Sequence, residues 1–209
     1  MMMRKTGLAV LATFLLTQWV GSACAEPAAR SGTPIGAAVA AAQSHYALNV
    51  KLPEFSLNGI LLKQDRKQPQ PEAFKDPGSR KCPPFCVEPE TVPGATTIRL
   101  EDFPKMAADI QADRIRIVDM RTPDWFQKGT IPGAINLPYS DLTGPQTKAK
   151  VRIKKLAGKD IIAFCNGWWC GQSPTGIKAL QEMQYPGKIY YFRDGNQGWA
   201  DAGLPFTEP

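Results

Sequence analysis

The rhythm of apolar and polar positions changes along this chain. From Ala95 onward, short apolar runs alternate with amphipathic stretches. "TTIRL" (96–100), "IRIVDM" (115–120), "AINLP" (134–138), "DIIAFC" (160–165) and "KIYYF" (188–192) are brief and mostly apolar, and they read as strands. "EDFPKMAADIQA" (101–112) sets Phe103, Met106, Ala107 and Ile110 on one helical face. "PTGIKALQEM" (174–183) predicts a second helix, with Ser173 as its N-cap and Pro174 in its first position. Strands alternating with helices predict a parallel sheet covered on both faces. Ligands of such sheets bind beyond the carboxyl ends of the strands. Asp119, Cys165 and Arg193 stand at three of those ends.

Upstream the texture is different. Residues 1–25 combine Arg4 and Lys5, an apolar core from Gly7 to Val20, and small residues at Ala23-Cys24-Ala25. That is the pattern of a cleavable export signal, with cleavage expected after Ala25 and a periplasmic or secreted destination. The apolar core is too short to span a bilayer comfortably, so no membrane association is expected after cleavage. Acylation at Cys24 is disfavoured, because Gly21 stands where a larger aliphatic residue is wanted. Residues 26–94 read as an N-terminal extension. Within it, the alanine-rich 35–50 predicts a helix, "FSLNGILL" (55–62) a strand pair or a docking segment, and the proline-rich 63–94 an extended linker.

Composition narrows the function classes. The chain has 209 residues and a formal charge of +6, with its basic residues scattered rather than gathered in a stripe. Nucleic acid is therefore not an expected partner. His45 is the only histidine, which excludes a histidine-paired triad within residues 95–209 and most histidine metal sites. No cofactor and no metal are expected. Export would place Cys82, Cys86, Cys165 and Cys170 in an oxidising compartment, where four cysteines allow three disulfide pairings. Four thiolates binding zinc is the lesser alternative.

The chemistry concentrates in "FCNGWWCGQSPTGIKAL" (164–180). Cys165 ends a strand, and a helix begins a few residues later. Asn166, Gly167, Trp168, Trp169, Gly171, Gln172 and Ser173 must then curl over the helix N-terminus. Their amides, together with the positive end of the helix dipole, would form an anion cradle. A thiol held there is partly thiolate at neutral pH and is a candidate nucleophile. Cys170 is open to two readings, a resolving thiol or a disulfide partner. Trp168 and Trp169 would either line an acceptor site or cover the sheet edge. Arg121 and Arg193 are candidate anion contacts, although a structural ion pair of Arg121 with Asp119 is favoured. Cys82 and Cys86 in "KCPPFC" are a candidate disulfide.

Three stretches in order resemble one rhodanese-like domain. "IVDMRTPDWFQKGTIPGAINLPYSDL" resembles the family's Asp-x-Arg strand end followed by its Gly-x-Ile-Pro-Gly-Ala signature. "IIAFCNGWWCGQSPTGIKAL" resembles its cysteine loop and helix, and "YYFRDGNQGWADAGLPF" its closing turn. The resemblance covers residues 95–209. It implies a three-layer α/β fold with a five-stranded, mainly parallel sheet. It also implies sulfur transfer from a small sulfur-containing anion such as thiosulfate to a thiol acceptor, through a persulfide on Cys165. The loop departs from the family pattern: it is about two residues longer, and Gln172 stands where an arginine is usual. Two other function classes stay open. One is a thiol–disulfide or sulfur-carrier protein using Cys165 and Cys170 with a redox partner; the other is a catalytically silent binding module.

Overall fold

The computed structural model describes residues 46–75, 88 and 90–209. The expected export signal, His45, Cys82 and Cys86 lie outside the described residues.

Five parallel strands form the central sheet: β3 (Thr96–Ile98), β4 (Ile115–Asp119), β5 (Ile135–Asn136), β6 (Asp160–Phe164) and β7 (Ile189–Phe192). Their spatial order is β3-β7-β6-β4-β5. In register, Asp119 pairs with Phe164 and Phe164 with Phe192, so β4, β6 and β7 end level with one another. The residues that follow, Cys165 among them, therefore share one edge.

Strand alternation explains both layers. Ile115, Ile117, Ile162, Phe164 and Phe192 point to one face, while Val118, Ile161, Ala163, Ile189 and Tyr191 point to the other. The first face is covered by α1 (Asp102–Gln111), which buries Phe103 and Ile110, and by α6 (Gly195–Asp201), which buries Trp199. Phe103 packs edge-on against both Phe192 and Trp199, at centroid distances of 4.9 and 5.2 Å. The second face is covered by α3 (Tyr139–Thr143), α4 (Gln146–Lys154) and α5 (Gln172–Glu182), through Leu142, Ile153, Ile177 and Leu180. A further short helix, α2 (Pro123–Phe126), follows β4. This is the three-layer α/β architecture expected from the alternation. "AINLP" yields only a two-residue edge strand.

The upstream segment packs on the same core. "FSLNGILL" forms an antiparallel hairpin of β1 (Phe55–Leu57) and β2 (Ile60–Leu62). Asn58 and Gly59 occupy its turn with positive φ, as a two-residue hairpin requires. Leu57 and Leu62 are fully buried against the α1–α6 face. Gln64 and Gln68 donate to the carbonyls of Ala202 and Gly203, and Phe74 stacks on Phe206 at 5.3 Å. The stretch read as a linker is thus bonded to the domain at Gln64, Gln68 and Phe74. Residues 46–49 are helical, at the end of the predicted alanine-rich helix. Among the described residues no helix is long and apolar enough to cross a membrane.

Candidate active site

Cys165 follows β6 and continues its alternation, so its side chain turns toward the face covered by α5. The loop from Cys165 to Gly171 closes on itself through a bond from the Cys170 amide to the Gly167 carbonyl at 3.0 Å. Cys165, Trp168, Trp169 and Cys170 form their own buried cluster. The N-cap of α5 is Gly171, and Ser173 lies inside the first helical turn. This corrects the expected cap. Ser173 donates its hydroxyl to Cys165 Sγ at 3.1 Å and is not spent on the helix end.

Several donors face that sulfur. Burial works against a thiolate, but bonds from the Cys170 thiol, the Ser173 hydroxyl and the amides of Ser173 and Gly167 outweigh it, so the Cys165 pKa lies below the ordinary thiol value. In its neutral form the thiol donates to the Cys170 carbonyl at 2.9 Å. Cys170 moves the other way. Burial first, then the bond and negative charge of Cys165, push it well above the ordinary value. The pair is therefore asymmetric: Cys165 gives up its proton more readily than Cys170 does. Both are free thiols in this structure.

A cavity of about 350 Å³ opens beside them, lined by Trp125, Tyr139, Asn166, Trp169, Cys170, Gly171, Gln172 and Thr175. None of these side chains is charged. Cys170 lines this space and Cys165 does not. The loop tryptophans divide accordingly. Trp169 is a cavity wall, whereas Trp168 is buried and accepts the Glu88 amide at 2.7 Å on its carbonyl. The Gln172 side-chain oxygen, Oε1, is buried without a hydrogen-bond partner among the described residues.

Neither Arg121 nor Arg193 is among the residues that line this cavity. Arg121 is 0% exposed. It grips Asp119 through Nε and Nη2, donates to the Gly129 carbonyl at 2.7 Å and meets the Asn166 amide oxygen at 3.1 Å. Thr130 donates its hydroxyl to the same Asp119 carboxylate at 2.7 Å. The Asn196 amide, its oxygen turned to Arg121, accepts from Nη1 and Nη2 at 2.9 and 2.8 Å. One buried guanidinium thus ties together the end of β4, the Gly129–Thr130 turn, the cysteine loop and α6. Arg193 is 4% exposed and donates from Nε to the Glu88 carbonyl at 3.1 Å. It clamps the upstream chain over the loop.

The closing turn supports the loop from below. Asn196 and Gln197 donate their amides to the carbonyls of Cys165 and Asn166, at 3.0 and 2.8 Å. Gly195 makes this approach possible, with φ of +56°. A Cβ there would lie 2.3 Å from the Cys165 carbonyl oxygen and 2.7 Å from the Gly167 nitrogen. Sequence reasoning missed Tyr191. It is fully buried on β7, and its hydroxyl has no hydrogen-bond partner among the described residues. Burial, and then the charge of Cys165, raise its pKa. Nothing in "KIYYF" distinguishes this hydroxyl from that of its neighbour Tyr190. Among the described residues no group of three or more His, Cys, Asp or Glu is placed to hold a metal.

Comparison with known proteins agrees with this reading of the fold. A thiosulfate:glutathione sulfurtransferase from Homo sapiens is 27% identical over 123 residues, 55% of this chain and 96% of that protein. A sulfurtransferase from Allochromatium vinosum is 27% identical over 96 residues, 46% of this chain and 80% of that protein. An HTH-type transcriptional regulator from Mycobacterium tuberculosis is 32% identical over 99 residues, but the match spans 40% of its length. Among solved structures, a thiosulfate sulfurtransferase from Pseudomonas aeruginosa aligns with a TM-score of 0.44 at 26% identity, over 55% of this chain and 20% of that one. The family described as the rhodanese-like domain matches residues 101–202, the span that holds α1, the Asp119–Arg121 pair, the cysteine loop and α6, and those residues are a rhodanese-like domain.

Proposed function

We propose that this protein is a sulfurtransferase that carries a sulfane sulfur on Cys165. One observation supports the reading most: the Cys165 sulfur lies under four donors, with the Ser173 hydroxyl 3.1 Å away. The sulfurtransferase relatives support it as well. The Cys165 thiolate attacks the outer sulfur of a donor such as thiosulfate. A new S–S bond forms, the donor's S–S bond breaks, and its electron pair leaves on sulfite. The persulfide anion inherits the donors that held the thiolate. A thiol acceptor then takes the outer sulfur and returns Cys165 to its anionic form. Because Cys165 is 2% exposed, the donor reaches it only when the Cys170–Trp169 wall shifts.

The uncharged cavity lining bears on the donor. With Gln172 in the usual arginine position, amides and the α5 dipole alone would meet a dianion. An organic persulfide, which carries less charge than thiosulfate, is a second donor class that this lining suits. The test is mass spectrometry of the reduced protein after incubation with each donor. We expect donor sulfur to pass onto Cys165, seen either as a persulfide gain there or as sulfide released with a disulfide formed at Cys165, and neither in Cys165→Ser. An unmodified Cys165 with both donors would reject the reading and favour a silent binding module.

The same reading takes residues 1–25 as a cleaved export signal, 26–94 as the extension and 95–209 as the catalytic domain. An N-terminus at Glu26 in protein recovered from the periplasm or medium is the expected result.

A further inference from the structure

The cavity wall is formed by the second cysteine, not by the nucleophile. Cys170 is 6% exposed and packs with Cys165 in one buried cluster. Its backbone is held over the same sulfur, with the amide on Gly167 at 3.0 Å and the carbonyl 2.9 Å from Cys165 Sγ. A sulfur atom placed on Cys165 would therefore sit in a nest whose nearest thiol still carries its proton. An acceptor coming from outside would have to pass that thiol first.

We propose that Cys170 is a resolving thiol that discharges the Cys165 persulfide as hydrogen sulfide; this rests on the sulfur-carrying role of Cys165. The Cys170 sulfur attacks Sγ of Cys165, its neighbour in the same buried cluster. The Cys165–Cys170 bond forms, and the bond from Sγ to the outer sulfur breaks. The outer sulfur leaves with that electron pair and takes the Cys170 proton, so the product is HS⁻. The sulfane sulfur is reduced by two electrons, and the two cysteines are oxidised to one disulfide. The cycle closes with an external dithiol. It attacks Cys170, the cysteine that faces the cavity, and expels Cys165, whose stabilised thiolate makes it the better leaving group. Its second thiol then frees Cys170, and the dithiol departs as its own disulfide. The aromatic, uncharged walls of Trp125, Tyr139 and Trp169 suit a dithiol presented on an apolar surface.

The experiment uses full-length, fully reduced protein under anaerobic conditions, loaded with thiosulfate or with benzyl persulfide and then freed of donor. Without added reductant, the wild type should end two hydrogens lighter than the reduced chain, with Cys165 and Cys170 joined in one crosslinked peptide. With thiosulfate as donor, one equivalent of sulfide should also be released. Cys170→Ser should end one sulfur atom heavier and release none. If the wild type instead holds a stable persulfide, as the variant does, the resolving role is overturned and the Cys165 reading stands. If neither protein gains or passes sulfur with either donor, both readings fall. Should Cys170→Ser fail to fold, the crosslink and the sulfide count in the wild type decide the matter alone.

Discussion

Cys165 differs from an inert core cysteine in what surrounds its sulfur. A buried thiol would ordinarily sit above the usual value; here, donors from the loop and the first turn of α5 reverse that. Removing one of them tests the balance. A hydrogen bond to a charged group is worth roughly 1.5–3 kcal/mol. Ser173→Ala should therefore slow alkylation of Cys165 at neutral pH about tenfold or more. In the wild type the alkylation rate rises as pH climbs through the lowered Cys165 value and then levels off. In the variant that rise moves to higher pH. An unchanged rate–pH curve would mean the Ser173 contact contributes nothing to the anion. The position of Cys165 at a strand end was legible, because a strand followed by a helix start is a local pattern. The place of Ser173 was not: Ser-Pro at a helix start reads as cap and first residue, and only the approach of the sulfur draws the hydroxyl inward.

At the scale of elements, the cysteine loop is shaped by its neighbours. Amides at the start of α6 hold the carbonyls of Cys165 and Asn166, and Arg121 holds the Asn166 side chain. Gly195→Ala forces a Cβ into that contact at a positive φ. It should cost about 2–4 kcal/mol of stability, measured by denaturant unfolding. In the fraction still folded, the reactivity of Cys165 should fall too, because the loop must retreat. A variant as stable and as reactive as the wild type would show that the turn does not set the loop. Strand periodicity predicted β4, β6 and β7, each buried on both faces. It did not locate the loop's partners. Glu88 meets Trp168 and Arg193 across most of the domain, and no local pattern marks a contact of that range.

For the whole molecule, the α6 end stores a pH response. Asp194 and Asp201 are both pushed up to about 6, chiefly by burial. Arg99 and Arg193 pull Asp194 down in part, and Gln197 does the same for Asp201 through a bond of 2.9 Å to its carboxylate. Each carboxyl holds its proton more tightly folded than unfolded. Their contribution is therefore full below the unfolded value of 3.8 and is lost as pH rises through about 6. Thermal stability should then fall between about pH 4 and about 6 by an amount these two groups share. Asp201→Asn removes one of them. It should raise stability above pH 7 by on the order of 1–2 kcal/mol and flatten the slope between about pH 4 and about 6. A slope identical to the wild type in thermal melts across that range would refute the assignment.

The chain by itself determined the layered fold and the place of Cys165 at a strand end. Both follow from spacing: two-residue alternation buries a strand on both faces, and a cysteine after such a strand must meet the next helix. For Phe55–Leu62 the chain left two readings open, a strand pair or a docking segment, and the fold made it a hairpin. Tertiary structure alone decided which groups serve the sulfur. It buried Arg121 and Arg193 as ties, brought the Tyr191 hydroxyl near Cys165, and set Cys170, not Cys165, against the cavity. Such choices depend on which distant surfaces reach one another when the layers close, and neighbours along the chain carry no record of that.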